Sequence, residues 1–222
     1  MRILITAGNT QTPIDLVRCL TNIFTGRTGA RIAREAQARG HAVTLLTSHP
    51  ETVAGIPGLI VKPYRTFEDL RGLLAESVPS GNFDAIIHAA AVSDYALEGV
   101  YADAPHGRTL NDGKISSRHP ELWMKFAPTP KLVDFIRSRW HYRGLLVKFK
   151  LEVDVTEADL LAVAKESRRK SDADFLVANT LENYETEAWL IDRGDSSSRI
   201  ARDDLPAALL DRIEQVFSAP RS

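Results

Sequence analysis

The fold is decided by Ile3-Leu4-Ile5-Thr6-Ala7-Gly8-Asn9-Thr10 and by Thr25-Gly26-Arg27-Thr28-Gly29 further along the chain. The first stretch opens with a short apolar run, which is typical of a parallel strand buried on both faces. The second precedes a helical pattern. Glycines let a backbone approach a ligand closely, and the free N–H groups at a helix start attract phosphate. The pattern therefore predicts a phosphate or nucleotide site near residues 6–29, and the alternative is that Gly8 and Gly26 only form turns.

The connection between this strand and this helix is unusually long. It has about twenty residues, whereas an ordinary βα connection has roughly 2–6. A loop of that length is usually functional. This one carries Asp15, Arg18 and Asn22, whose side chains can orient an anion or a carbonyl group.

Strand and helix patterns alternate along the rest of the chain. Residues 29–39 form a predicted amphipathic helix that ends near Gly40, and His41 to Thr47 follow as a second strand. Further helices are predicted to begin at Thr66, Thr129, Thr156 and Asp204. Further strands are predicted at residues 59–61, 85–91, 122–126, 145–151, 175–179 and 189–191. Strand–helix–strand is the unit of a parallel sheet, so we expect an α/β fold with a mainly parallel sheet in a single domain over residues 1–222.

Polar residues follow several of the predicted core strands. Asn9 and Thr10 follow the first strand, Asp94 follows residues 85–91, and Asn179 ends residues 175–179. Ligands of open α/β sheets bind at the carboxyl ends of the strands, so these residues are candidates for a binding site.

Residues 96–120 lack apolar periodicity and contain Gly, Pro, Asn and Asp. We interpret them as a mobile surface segment that carries Lys114. Ser196–Ser198 is predicted to be a turn. The histidines are expected at the surface or at strand edges, since they show no metal-ligand spacing.

Composition excludes several classes of function. The net charge of −1 gives no electrostatic reason for a nucleic-acid partner. No apolar run approaches the ~20 residues of a membrane span, and we expect no signal peptide, since the sequence enters a predicted strand at once. The one cysteine, Cys19, excludes an internal disulfide, suits a reducing cytoplasm and is expected to be a small buried apolar residue.

The common catalytic motifs do not occur. The sequence contains no G-x-S-x-G elbow and no G-x-x-x-x-G-K-[ST] loop, and the histidines and the cysteine do not suggest a zinc site.

The main rival interpretation is a dinucleotide-binding reductase. The glycine spacing in the second stretch is G-x-x-G, without G-x-G-x-x-G directly after the strand. The second strand ends Leu45-Leu46-Thr47-Ser48, with no acidic residue for a ribose. No tyrosine is followed by a lysine four positions later, as a short-chain reductase would require. These features argue against the reductase.

Five motifs, taken together, resemble the phosphopantothenoylcysteine synthetase (phosphopantothenate–cysteine ligase) family in its stand-alone form. They occur in the family's order and cover most of the chain from residue 3 to about residue 180. They are residues 6–29, Ala90-Ala91-Val92-Ser93-Asp94-Tyr95, Lys114-Ile115-Ser116-Ser117, Phe149-Lys150-Leu151 with Val153-Asp154-Val155-Thr156-Glu157, and Ala173-Asp174 with Val177-Ala178-Asn179.

The resemblance implies a Rossmann-like three-layer fold with a flap at about residues 96–120, a cytoplasmic homodimer and a reaction of coenzyme A biosynthesis. The carboxylate of 4′-phosphopantothenate would attack the α-phosphate of CTP or ATP with Mg²⁺, and L-cysteine would then displace the nucleoside monophosphate. The sequence does not choose between CTP and ATP, nor does it exclude a non-catalytic nucleotide-binding relative.

The resemblance also implies roles for individual residues. Asn22 would hold the carbonyl of the acyl intermediate, with Arg18 nearby, and Lys114 would lie on a flap over it. Asp94 would contact the nucleotide as the Mg²⁺ ligand. The remaining nucleotide-binding residues would be Gly8, Gly26, Gly29, Ala90, Ala91, Phe149, Lys170 and Asn179.

Three positions depart from the family pattern. Asn9 replaces the usual proline, Thr180 replaces the usual aspartate, and Lys170 is one position away from the usual basic residue. The last two concern phosphate binding by the C-terminal half.

Overall fold

The computed structural model describes residues 1–110 and 113–219. In chain order its elements are β1 (Arg2–Ala7), β2 (Gln11–Pro13), β3 (Cys19–Thr21), α1 (Arg27–Ala38), β4 (Ala42–Thr47), a 3₁₀ turn (Pro50–Val53), β5 (Ile60–Pro63), α2 (Phe67–Ser80), β6 (Ala85–His88), β7 (Tyr95–Ala102), β8 (Arg108–Thr109), β9 (Leu122–Pro128), α3 (Leu132–Ser138), β10 (Leu145–Glu152), α4 (Glu157–Lys170), β11 (Phe175–Thr180), β12 (Glu187–Ile191), β13 (Ser197–Ala201) and α5 (Leu205–Ser218).

The central sheet has eight strands in the order β13-β12-β11-β10-β6-β1-β4-β5. In this spatial order, all neighbouring strands between β11 and β5 pair in parallel. β12 and β13 extend the sheet beyond β11 in antiparallel pairing. The chain first builds outward from β1 through β4 to β5, and then returns to the other side of β1 with β6. The predicted α/β fold with a mainly parallel sheet is confirmed.

Helices cover both faces of the sheet because successive strand residues point to opposite faces. Ile3 and Ile5 belong to the core that includes residues of α1 and α5, whereas Leu4 belongs to the core that includes residues of α2 and α3. All three of these side chains are fully buried, and each contributes roughly 1.5–3 kcal/mol to stability. α4 packs against β11 through Leu160 and Leu176. The three layers follow from the apolar runs in the sequence.

Residues 96–120, which we interpreted as a mobile surface segment without a strand or helix pattern, contain strands. β7 pairs with both β8 and β9 in a separate three-stranded sheet, and Val100, Ala102, Leu110 and Ile115 form a small buried core with it. Residues 111 and 112 of this segment lie outside the described residues. A β-bulge between Leu97 and Gly99 shifts the register, which interrupts the period-two pattern that identifies a strand.

The long connection after β1 also contains structure that its sequence did not predict. β2 and β3 form a hairpin within it, and Cys19 lies half-buried on β3 instead of in the core. Short strands of three residues give too few alternations to be recognised.

Three smaller predictions need correction. α3 begins at Leu132, because the Thr129 hydroxyl donates to the Ser93 carbonyl instead of capping a helix. Ser197 and Ser198 belong to β13, where they pair with β12. His88 is buried within the sheet, where its ring hydrogen-bonds to Thr6, so it is not a surface histidine. No helix within the described residues is long and apolar enough to cross a membrane.

Candidate functional site

A cleft of about 580 Å³ opens at the carboxyl ends of β1, β6, β10 and β11. It lies where the strand order reverses, which is the usual position of a ligand in an open α/β sheet. One wall is residues 23–29 with the first turn of α1, and the other is Phe149–Leu151 with Asn179. Ala89–Ala91 lie between them. The predicted strand ends and the predicted glycine loop therefore meet in one place.

The glycines let the loop before α1 rest directly on β1. Gly8 and Gly26 both have positive φ, of 90° and 79°. A Cβ on Gly26 would lie 2.3 Å from the Gly8 nitrogen, and a Cβ on Gly29 would lie 2.6 Å from the Ala7 Cβ. The glycines form turns, and they also bring the N-terminus of α1 into contact with the end of β1.

Gly26→Ala is expected to lower the free energy of unfolding by about 2–4 kcal/mol, combining a left-handed backbone cost with overpacking against main chain. Gly40→Ala is the matched control, because Gly40 has a similar φ of 81° but its Cβ would meet nothing within 4 Å. Gly40→Ala should show only the backbone cost of roughly 1–2 kcal/mol. Urea unfolding of both variants measures the difference. Equal destabilisation of Gly26→Ala and Gly40→Ala would mean that the close contact between Gly26 and Gly8 adds nothing to the free-energy cost of the Gly26 substitution.

The wall of small residues at 89–91 is fixed by main-chain and buried side-chain hydrogen bonds. The Ala91 nitrogen donates to the Gly8 carbonyl at 2.8 Å, and the Ala90 nitrogen donates to Thr6 Oγ1 at 3.2 Å. Thr6 Oγ1 also lies 2.9 Å from Nδ1 of His88. Burial, with the nearby charge of Lys148, lowers the pKa of His88 to about 4, so the imidazole is neutral at neutral pH.

Asn22 lies on the rim beside this wall. Its Nδ2 donates to the Ala91 carbonyl at 3.1 Å. The backbone carbonyl of Asn22 accepts from Nδ2 of Asn9 at 2.6 Å, and Asn9 is 5% exposed. Asn9 therefore holds the backbone of Asn22 in place.

Arg18 and Lys114 lie outside the cleft, where Asp15 joins the hairpin to the flap. The Asp15 carboxylate is fully buried and accepts from Arg18 Nη2 at 2.5 Å and from the Ile115 nitrogen at 3.1 Å. Arg18 Nη2 also donates to the Ile115 carbonyl at 2.7 Å. The Arg18 guanidinium, with backbone N–H donors, holds the pKa of Asp15 well below its usual range. The backbone beside Lys114 is thus anchored, while Lys114 itself is exposed.

Asp94 and Lys170 are not brought into the cleft. Asp94 is exposed and forms an ion pair with Lys131 at 2.5 Å. Lys170 ends α4 at the amino edge of the sheet, beside Arg143 and Arg193. α4 runs antiparallel to β11, so the C-terminus of α4 lies at the amino edge of the sheet. Because a strand rises about 3.3 Å per residue, the full length of β11 separates Lys170 from the carboxyl edge. The expected contact of Lys170 with a nucleotide does not fit this position. Within residues 1–110 and 113–219, no three His, Cys, Asp or Glu side chains are grouped to hold a metal ion.

Several residues of the cleft were missed from the sequence. They are Arg27, Arg31, Lys150, Tyr184, Glu185 and Arg202. Tyr184 packs edge-on against Phe24 with ring centroids 5.6 Å apart, and Lys150 pairs with Glu152 at 2.8 Å. Lys150 lies inside a quoted family motif, so its position could have been found. Arg202 follows an added antiparallel strand, and nothing in its sequence context indicates that it turns toward the N-terminus of α1.

The fold and the cleft define a doubly wound α/β protein with a preformed anion-binding environment. The helix N-terminus and the surrounding cations favour a phosphorylated ligand. Phe149 offers an aromatic face and Asn179 an amide. Among the residues that the structure describes, the cleft lining includes no serine or cysteine.

The chain belongs to the family described as DNA/pantothenate metabolism flavoprotein C-terminal domain, which matches residues 1–216. The resemblance drawn from the sequence motifs is thereby confirmed. A relative from Thermococcus kodakarensis, "Coenzyme A biosynthesis bifunctional protein CoaBC", is 31% identical over 223 residues, covering 97% of this chain and 51% of the relative. The chain spans about half the length of that relative.

Solved structures show the same fold. The DNA/pantothenate metabolism flavoprotein from Streptococcus pneumoniae superposes with a TM-score of 0.87 at 28% identity, covering 97% of this chain and 99% of that chain. A Cab2 variant in complex with phosphopantothenate-cysteine superposes with a TM-score of 0.75 at 18% identity, covering 97% and 86%. At that identity the second likeness concerns the fold alone.

Proposed function

We propose that this protein is a phosphopantothenate–cysteine ligase. The observation that carries the proposal is the convergence of residues from four separate motifs on one cleft. Seven of the expected nucleotide-binding residues line it: Gly8, Gly26, Gly29, Ala90, Ala91, Phe149 and Asn179. The name of the Thermococcus relative supports a reaction of coenzyme A biosynthesis.

The proposed reaction has two steps. A carboxylate oxygen of 4′-phosphopantothenate attacks the α-phosphorus of a nucleoside triphosphate, and the bond to the departing pyrophosphate breaks. The amine of cysteine then attacks the acyl carbon, loses a proton and displaces the nucleoside monophosphate, which leaves an amide. Neither step needs a covalent bond to the protein, in keeping with a cleft lined by glycine, alanine, cations and amides.

Each part of the cleft has a task in this proposal. The N-terminus of α1, between Gly26 and Gly29, offsets the negative charge of the phosphates. Phe149 flanks the base, and Asn22 donates to the acyl carbonyl oxygen as negative charge grows on it during attack by cysteine. Thr6 and His88 are positioning residues in this proposal. They act through the Ala90 peptide, which they hold in place.

Whether Mg²⁺ fits the cleft depends on the carboxylate ligands that lie in or near it. Glu185 is the carboxylate that lines the cleft within the described residues, and Asp94 is engaged by Lys131 outside it. Mg²⁺ in such sites is held by one or two carboxylates and by substrate phosphates, so a metal carried mainly by the nucleotide fits these residues. When bound, it would neutralise phosphate charge. We propose Glu185 as its first protein ligand, with Asp94 available only if the Lys131 pair opens.

We also propose a preference for CTP and a homodimer. The preference rests on the bacterial-type segment Ala90–Tyr95. The dimer is supported by apolar side chains that the hairpin and its flanks leave in solvent, since Leu16 is 85% exposed, Val17 66% and Ile23 76%.

The test is pyrophosphate release in the presence of each nucleoside triphosphate. We expect release that requires both phosphopantothenate and Mg²⁺, that is faster with CTP than with ATP, and that yields the cysteine amide when cysteine is added. Omitting phosphopantothenate is the control for simple nucleotide hydrolysis. Nucleotide binding without turnover would make the protein a non-catalytic relative, and hydride transfer from NAD(P)H would assign it to the reductases.

A further inference from the structure

We propose that Arg202 binds the terminal phosphates of the nucleoside triphosphate, the part that leaves as pyrophosphate. The inference rests on the proposed function, which it extends by a residue that no family motif predicted. It assigns to the loop after β13 a part in distinguishing triphosphates from monophosphates.

The guanidinium of Arg202 is placed at the start of α1. Its Nη2 donates to Oγ1 of Thr28, the second residue of the helix. Its backbone nitrogen donates to the Thr186 carbonyl at 2.8 Å, which fixes the position from which the side chain extends. Arg202 and Thr28 both line the cleft. The side chain therefore reaches the same helix N-terminus that Gly26 and Gly29 expose.

One end of this guanidinium has no hydrogen-bond partner among the described residues. Nη1 is removed from solvent and makes no hydrogen bond, whereas buried polar atoms in folded proteins are nearly always paired. An unpaired buried donor costs roughly 1–3 kcal/mol, and more when it is charged. A small rotation of the guanidinium toward the cleft would let a ligand oxygen accept from Nη1 and remove that cost.

The charge around Arg202 is also unbalanced. No described carboxylate forms an ion pair with it, and the neighbouring Arg31 is paired with Asp203 at 3.0 Å. Burial and the charge of Arg31 lower the pKa of Arg202, yet a guanidinium remains charged at neutral pH. A cation kept in a partly buried site without a counter-ion is suited to an anionic ligand.

The arrangement suits a phosphate group. The guanidinium can donate to one of its oxygens while the free N–H groups of the α1 N-terminus share the same anion. The acyl group is proposed beside Ala91, whose carbonyl accepts from Asn22 on the rim, whereas Arg202 lines the cleft with Thr28 and Arg31. The phosphates farthest from the acyl group are therefore assigned to Arg202.

The experiment is calorimetric titration of inorganic pyrophosphate, CTP, CMP and 4′-phosphopantothenate into the full chain and into Arg202→Met. A charged hydrogen bond contributes about 1.5–3 kcal/mol, so pyrophosphate and CTP should bind roughly 10- to 100-fold more weakly to the variant. CMP and phosphopantothenate should bind within about twofold of wild type, since neither carries the leaving pyrophosphate. Arg202→Lys should recover part of the loss, because it restores charge without the planar fork.

The matched control is Arg199→Met. Arg199 lies on β13 three residues earlier, is paired with Glu187 and lies outside the cleft. Its loss should leave all four affinities unchanged, and melting curves should show that each variant is folded. Wild-type binding of CTP and pyrophosphate with no selective loss in Arg202→Met and Arg202→Lys would overturn the role of Arg202 alone. A folded wild type that binds neither would overturn the proposed function together with it.

Discussion

Asn22→Asp is expected to slow amide formation by about 10²–10³-fold, the usual cost of losing one donor to a developing oxyanion. The variant keeps the shape of the side chain but replaces the amide donor with an acceptor that is usually charged. It would also place a carboxylate against the Ala91 carbonyl, which now accepts from Asn22 Nδ2. Acyl-nucleotide formation should be affected less, because the acyl carbonyl gains its negative charge only when cysteine attacks.

The two half-reactions are measured separately. Pyrophosphate release without cysteine follows acyl-nucleotide formation, and product formation after rapid addition of cysteine follows the second step. Gln215→Glu, an amide-to-carboxylate change on the exposed face of α5, controls for the added charge. Wild-type rates in both steps would remove Asn22 from the site, and an equal loss in both would indicate a general disturbance of the Ala91 wall.

Lys114→Gln is expected to depress overall ligation by about 10²-fold, because we propose that this exposed lysine reaches from the flap toward the bound acyl-nucleotide and stabilises transition-state charge there. The stability should change by less than ~0.5 kcal/mol, because the side chain is exposed. The backbone on either side should remain in place. The Gly113 carbonyl accepts from the Leu16 nitrogen at 3.0 Å, and Ile115 is held by Asp15 and Arg18.

Lys170→Gln is the informative control for this change. It removes the same charge from another exposed lysine, one that also resembled a phosphate-binding position in the sequence but lies at the amino edge of the sheet. Steady-state ligation and melting temperature of both variants test the assignment. Normal turnover in Lys114→Gln would make the flap an ordinary surface sheet, and a loss in Lys170→Gln would contradict its exclusion from the cleft.

The parallel sheet and most of its helices could be predicted from the sequence, because buried strands such as Ile3–Ile5 form continuous apolar runs. The Thr156 cap also identified the start of α4, where its hydroxyl accepts from the Asp159 nitrogen. Strand ends followed from these assignments, so Asn179 could be placed near the glycine loop from the strand pattern, whereas Ala90 was assigned through the family resemblance.

Other features could not be predicted, because they depend on which edge or register a residue occupies. Lys170 and Arg202 are both basic residues in the C-terminal part of the sequence. Lys170 lies at the amino edge of the sheet and Arg202 in the cleft, and this difference depends on the direction in which the chain runs at each residue. The bulge near Gly99 concealed a strand. Asp15 was recognised as polar, but its contact with Ile115 joins residues a hundred positions apart, which no local pattern contains.

The contact between Gly26 and Gly8 has a consequence for how the cleft binds. Since the backbone of the phosphate loop rests on the end of the central strand, the donors of α1 are already oriented without ligand. Association then loses little conformational entropy on this wall, and preorganisation of this kind raises affinity without adding contacts. Asn22 instead follows the two-stranded hairpin of β2 and β3, which is separate from the central sheet, so adjustment to different substrates is expected to come from that side.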